Sequence, residues 1–503
     1  MSVLSNQPVS VVEYGARRTL IVVGVMMAAL LQTLDATIVN VALPTIEGNV
    51  GASIDDGIWI VTGYIISNVI AIPLAPFMLQ RLGRRQYFAA CIIGFTVASV
   101  LCGTATSLTT LVLFRVVQGA FGGGLIATSQ IVLRSTFPPN KVGTSAALFA
   151  VALTVGPALG PTLGGILTDN LSWQWVFDIN LVPGAIAAVI VLTTLRNPTQ
   201  PQRLPFDSLG LALLAVALGS MQYVLDEGER KDWFGDGGIV FFSFACVVGF
   251  IGFASWELYG AKHPVVDLRV FRYGNVRTGT LLAVAMGMVI FGPVVLLPQY
   301  VQNILGFTST GSGLLLLMRA LPVIVLTPLV ARAATRLDVR ALLVTGFGLS
   351  ALSFWLVAQR MTPVSDFGSF AGVLAFSGMG QAMLLVPLLV AVIGSVKLPD
   401  APKVSSFISL SVQLGGSIAS TMLVTVLDRR TYFHSDVYRS ALTPANPYLS
   451  DPTRHLGTLA TLSRLLAKQA TNAGFADAVF ALIPVAVVAI CVAFFLRRAG
   501  VAA

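Results

Sequence analysis

Leu34-Asp35-Ala36-Thr37-Ile38-Val39-Asn40-Val41-Ala42-Leu43-Pro44 closes an apolar run that begins near Thr19. A helix needs about 20 apolar residues to cross the hydrocarbon of a bilayer, and this run is long enough. It carries a carboxylate, Asp35, roughly two-thirds of the way along. An ionisable group at that depth costs several kcal/mol unless it is paired, hydrated or protonated, which makes it a functional-site candidate by default. The competing reading is a structural aspartate that caps a broken helix or sits near the interface.

Working outward, the whole chain is apolar. Hydrophobic residues make up 55% and charged residues 11%, and the mean hydropathy is +0.84. A soluble chain carries about 25% charged residues, so this is a polytopic membrane protein. Its apolar runs have helix-spanning length rather than the alternating segments of about 10 residues that a β-barrel shows. The fold class is therefore all-α. The four cysteines (Cys91, Cys102, Cys246, Cys491) are scattered singly in apolar runs, without metal-ligand or redox spacing. His263, His434 and His455 all fall in connecting segments. No metal site or cofactor is expected. The first apolar run lacks a small-residue cleavage site and is read as a retained span.

Fourteen spans are predicted, near 19–43, 57–79, 86–106, 109–131, 142–167, 176–195, 207–225, 238–258, 278–301, 312–334, 341–359, 368–392, 405–427 and 475–496. With both termini in the cytoplasm, 20 Lys and Arg fall on the cytoplasmic side and 9 outside, while 6 Asp and Glu fall inside and 15 outside. That is the positive-inside bias, and it accounts for the net charge of +9 without invoking nucleic acid. An odd number of spans would put Arg497 and Arg498 outside. Residues 226–237 form a charged outer turn. Residues 428–474 form a long outer loop in which Leu456, Leu459, Leu462 and Leu466 have helical spacing, the pattern of an amphipathic helix on the outer surface or packed on its own protein. Arg81-Leu82-Gly83-Arg84 after span 2 is echoed by Arg336-Leu337-Asp338-Val339-Arg340 after span 10. The expected organisation is a six-helix bundle over 1–195, two inserted helices over 196–260, and a second six-helix bundle over 261–503.

Three further motifs stand out. Gln80-Arg81-Leu82-Gly83-Arg84-Arg85 is a tight turn whose glycine permits the reversal and whose arginines can bind the carbonyl ends of neighbouring helices; plain positive-inside anchoring is the alternative. Arg115-Val116-Val117-Gln118-Gly119 lies in span 4. In span 5, Gly156, Gly160 and Gly164 lie four residues apart on one face, allowing close helix approach. Pro157 and Pro161 between them bend the helix.

Taken in order with Trp173-Gln174-Trp175-Val176-Phe177-Asp178-Ile179-Asn180, Asp226 to Phe234, His263 to Leu268 and Leu297-Pro298-Gln299-Tyr300, these stretches resemble the major facilitator superfamily. The resemblance is to its fourteen-span drug:proton antiporters, and within them to the Emr-type inner-membrane subunit of tripartite exporters. It covers nearly the whole chain. Two departures are plain: Pro76 and Gln80 stand where the family's first cytoplasmic motif usually has Gly and Asp, so a carboxylate that would pair across the bundle is missing. Asp178 is also unusual in the Trp-rich entry to span 6.

Counting from the outer ends of their spans, Asp35, Arg115 and Arg319 should sit at similar depth. A carboxylate and a guanidinium at one depth in a low dielectric hold each other's charge. The resemblance implies that Asp35 and Arg115 couple transport to protons. Asn40, Gln118, Gln299 and Gln413 are candidate substrate contacts, as sparse polar groups on apolar helices; an interhelical hydrogen bond is the alternative for each. Arg319 could meet an anionic substrate or a second carboxylate. Gly83, Arg84, Arg85, Gly156, Pro157, Gly160, Pro161 and Gly164 are the candidate conformational residues.

The expectation is a proton-coupled exporter of hydrophobic or amphipathic toxic compounds in the bacterial inner membrane, working by alternating access. The resemblance further implies a periplasmic adaptor and an outer-membrane channel as partners, with membrane lipid around the chain. The alternatives are a carrier dedicated to one metabolite, such as a siderophore or fatty acid, and a scaffold or sensor that no longer transports. No Ser/His/Asp, Cys/His or nucleotide-binding constellation points to an enzyme.

Overall fold

The computed structural model describes residues 12–52, 54–57, 59–138, 141–197, 207–261, 264, 266–397, 400–440 and 456–497; His263, His455 and Arg498 lie outside them. Among the described residues, fourteen helices are long and apolar enough to cross a membrane, as the hydropathy pattern predicts. They are α1 (Gly15–Leu43), α2 (Trp59–Leu82), α3 (Arg84–Gly103), α4 (Leu108–Thr136), α5 (Gly143–Asn170), α6 (Trp175–Thr194) and α7 (Ser208–Glu227). The second seven are α8 (Gly237–Gly260), α9 (Gly274–Asn303), α10 (Thr310–Ala333), α11 (Val339–Arg360), α12 (Phe367–Ile393), α13 (Ala401–Ser440) and α14 (Thr461–Ala493). The chain is a multi-pass, all-helical membrane protein.

The packing plan repeats. In the first half α1 packs along α5, and α4 against α2 and α3; in the second, α9 packs along α13, and α12 against α10 and α11. α7 and α8 pair with each other, and α7 leans on α2. α8 buries only Ile239, Gly249 and Phe253 along its main helical stretch and leaves Phe241, Phe244 and Ile251 exposed, as a helix bathed in lipid would. α5 also packs along α10, joining the halves.

Charged residues sit at helix ends for a local reason. Asp207, Asp236, Asp338 and Asp366 each accept a hydrogen bond from a backbone N–H in the first turn of α7, α8, α11 and α12, each cap being worth about 1 kcal/mol. The two echoed turns both join consecutive helices: Gly83, at φ 87°, links α2 to α3, and Asp338 caps α11 after α10.

The segment 428–474 is not the loop expected from the sequence. α13 continues unbroken for 40 residues to Ser440, about 60 Å at 1.5 Å per residue, roughly twice the hydrocarbon thickness. Helix resumes at Leu456 and runs to Phe480, so the leucine-spaced stretch is the lead-in to α14 rather than a separate surface helix; residues 441–455 lie outside the described ones. The two extensions pack as a hairpin in which Arg430 and His434 both bind the Asp477 carboxylate. Gly474 leaves room for Thr431.

Candidate functional site

Close approach of α1 and α5 sets the position of Asp35. A Cβ at Gly156 would lie 2.0 Å from Thr33 Oγ1, and one at Gly160 2.1 Å from Thr37 Oγ1. At Gly164 it would lie 2.7 Å from the Ile38 carbonyl. The glycine face of α5 therefore receives residues Thr33 to Ile38 of α1, and Thr33 Oγ1 donates to Ala152 O at 3.2 Å. This turns Asp35 towards α2, α4 and α6. Pro157 and Pro161 are accommodated within a helix that runs through to Asn170.

Asp35 is 0% exposed and Arg115 1%. Arg115 Nη1 donates to Asp35 Oδ2 at 2.6 Å and to Gln118 Oε1 at 2.8 Å, while its Nε donates to Ile60 O at 3.0 Å. The guanidinium carbon stands 4.1 Å from the Tyr64 ring centroid and 5.7 Å from that of Phe177, so the charge is held between a carboxylate and aromatic faces. The second carboxylate oxygen, Oδ1, accepts from Gln118 Nε2 at 2.8 Å and from Asn180 Nδ2 at 3.2 Å. Asn180 also donates to Ser99 Oγ at 3.0 Å, and Ser99 to Phe177 O at 2.8 Å. Residues of α1, α4 and α6 thus meet at one buried carboxylate, α2 and α3 brace its partners, and both carboxylate oxygens accept hydrogen bonds.

The other expected residues fall in different places. Gln118 has both ends of its amide inside this network. Asn40 and Gln299 are exposed, in the C-terminal halves of α1 and α9. Gln413 lines a cavity of about 20 Å³ between the halves, with Gln130, Phe149, Leu153, Phe291 and Ser409 among its walls. A drug-sized ligand needs about 300–1,000 Å³, so this cavity does not hold one as it stands. Arg319 meets no carboxylate among the described residues: its Nη1 donates to Ile290 O at 2.8 Å and its Nη2 to Val289 O at 2.9 Å. Gly83 makes the turn. Arg84 donates from Nε and Nη2 to Arg196 O, at 3.2 and 3.0 Å, and from Nη1 to Ser135 Oγ at 2.6 Å. The Arg85 backbone N–H donates to Asn197 Oδ1 at 2.9 Å. With Arg17, which binds Thr194 O, Arg84 holds the carbonyl end of α6, one of the two uses expected for the turn's arginines.

Two linked helical halves, the first of which encloses a buried ion pair, are the architecture of a membrane transporter. Comparison with known proteins agrees. The sequence model of the Major Facilitator Superfamily matches residues 25–296 and 279–435. The multidrug export protein EmrB of Escherichia coli (strain K12) is 34% identical over 465 residues, 92% of this chain and 91% of that one. The fatty acid resistance protein FarB of Neisseria gonorrhoeae is 34% identical over 446 residues, 88% of this chain and 87% of that one. Among solved structures, the human organic anion transporter MFSD10 superposes with a TM-score of 0.61 at 15% identity, covering 95% of this chain and 99% of that one. The proton:xylose symporter XylE gives 0.58 at 12%, covering 91% and 94%; at such identities these two speak for the fold alone. The chain belongs to the Major Facilitator Superfamily.

Proposed function

We propose that this protein is a proton-coupled exporter of hydrophobic and amphipathic toxic compounds, resident in a bacterial inner membrane and working by alternating access. The observation that carries the reading is the Asp35–Arg115 pair, fully buried at 2.6 Å, in a chain that aligns over most of its length with multidrug export proteins. Protonation of Asp35 removes the charge that neutralises Arg115 and turns one acceptor oxygen into a donor. The network around it must then rearrange, which biases the balance between outward-open and inward-open states. Substrate would enter the cavity at Gln413 as the halves part, with Asn40 and Gln299 as further contacts. The glycine face of α5 and the turn at Gly83 would carry the motion. The helical hairpin of α13 and α14 is on the predicted outer side, where a periplasmic adaptor and then an outer-membrane channel would meet the protein.

The test is proton movement in proteoliposomes on adding unrelated hydrophobic drugs under an imposed pH gradient, for the native chain and Asp35→Asn. Drug-dependent flux lost in the variant supports the reading; flux indifferent to Asp35 overturns it. A second reading, a carrier for one class of metabolite such as fatty acids, draws support from the similarity to FarB. Flux confined to a single compound would favour it.

A further inference from the structure

We infer that Arg319 is an anion-recognition site, at which the carboxylate of an amphipathic anionic substrate is held in the second half of the molecule. The inference takes the transport reading above as given and adds the charge of a substrate.

Arg319 lies on α10 and is 3% exposed. A guanidinium buried without a counter-charge is strongly disfavoured, and this one finds none among the described residues around it. No Asp or Glu occurs in α9, α10, α11 or α12. In α13 the first acid is Asp428, far along towards the outer extension, and in α14 Asp477 is bound by Arg430 and His434. Asp35, the acid buried deepest in the other half, is already matched by Arg115. One positive charge within the membrane is therefore left over.

What holds Arg319 now are neutral dipoles. Pro293 has no N–H, so the Val289 carbonyl four residues earlier loses its helical donor, and Arg319 Nη2 supplies one. Nη1 takes the neighbouring Ile290 carbonyl, and Nε is buried with no hydrogen-bond partner. Carbonyls solvate the charge without neutralising it, whereas a carboxylate would take two parallel N–H groups of the planar fork. The backbone that holds Arg319 also adjoins the central cavity. Ile290 precedes Phe291, which lines the central cavity with Gln413. A swing of α9 at the Pro293 break would draw the Val289 and Ile290 carbonyls away from the guanidinium on α10 and free it towards that cavity.

The experiment is equilibrium binding of radiolabelled decanoate to the full chain in nanodiscs, with decanol and decylammonium as competitors and no gradient present. The native protein should prefer decanoate to decanol by at least about tenfold, a difference of about 1.4 kcal/mol. Arg319→Gln should bring that preference to within about twofold. Arg319→Lys, which keeps the charge without the fork, should fall between. A native protein with no preference overturns the proposal, and so does Arg319→Gln with the preference intact and only a lowered melting temperature, since that is what a purely structural strap on α9 would give. If Arg319→Gln does not fold, the native selectivity and the Lys variant still decide. Because no gradient is applied, Asp35→Asn with normal anion preference but no proton flux separates this inference from the coupling assignment.

Discussion

Ser406 Oγ on α13 donates to the Ile72 carbonyl on α2 at 2.8 Å; Pro76, four residues further along α2, has no N–H to offer that carbonyl, which accepts instead from the Ala75 N–H in a tightened turn and has a second lone pair for Ser406. Pro76 is one of the two places where the chain departs from the pattern it otherwise resembles. A neutral hydrogen bond between the halves thus stands near the position where a charged pair is missing. Ser409 Oγ donating to Gln130 Oε1 at 2.6 Å and Gln381 Nε2 donating to Thr154 Oγ1 at 3.0 Å tie the halves in the same way. Closure at this end is built from bonds worth about 1 kcal/mol each, weak enough for a transporter to break in each cycle.

Ser406→Ala should therefore shift the closed state towards opening by about 0.5–1.5 kcal/mol, a change of roughly two- to tenfold in the ratio of states. Spin labels at the exposed Gln80 and Lys397, on the two sides of this contact in a background without the native cysteines, would report it. The expected result is growth of a longer-distance population. An unchanged distance distribution would mean that the bond contributes nothing to closure.

The ion pair makes a prediction about stability that is separate from coupling. Removing one partner of a buried pair leaves the other charged and unpaired, which costs about 3–5 kcal/mol, whereas removing both is much less damaging. Arg115→Met should lower the melting temperature in detergent more than Asp35→Asn does, because Arg115 keeps Ile60 O, Gln118 Oε1 and the Tyr64 face. Asp35→Asn/Arg115→Met should melt above Arg115→Met alone. If the double variant and Arg115→Met melt together, Asp35 becomes neutral when its partner is lost and the pair is not a fixed pair of charges.

The fourteen spans were legible from hydropathy, whereas depth placed Asp35 level with both Arg115 and Arg319, and it was the family resemblance that singled out Arg115. Gln118 was legible only in part: its i+3 spacing from Arg115 puts it on the same helix face, which points to the network rather than to substrate. Asn180 was not. It sits at the entry to α6, three residues after the buried Phe177, and its partner depends on how α6 leans against α1, which no periodicity records. The extension of α13 was hidden by Asp428-Arg429-Arg430, which read as the end of a span although charged residues are ordinary in a helix outside lipid. The partner of Arg319 was hidden because it is a backbone carbonyl exposed by a proline on another helix.

The α1–α5 contact aims Asp35. A Cβ at Gly160 would lie 2.1 Å from Thr37 Oγ1 and 3.1 Å from the Ile38 backbone N, so a side chain there must push α1 away. Gly160→Val should displace the Thr33–Ile38 segment, loosen the hydrogen bonds from Gln118 and Asn180 to Asp35, and abolish proton-coupled transport while lowering the melting temperature. Gly348 on α11 is the control: nothing lies within 4 Å of a Cβ there. Gly348→Ala should leave transport intact and stabilise the helix by up to about 1 kcal/mol. Native-like proton flux in Gly160→Val would show that close approach of α5 is not what positions the carboxylate. Equal damage from Gly348→Ala would show that the loss reflects general intolerance of glycine replacement rather than this contact.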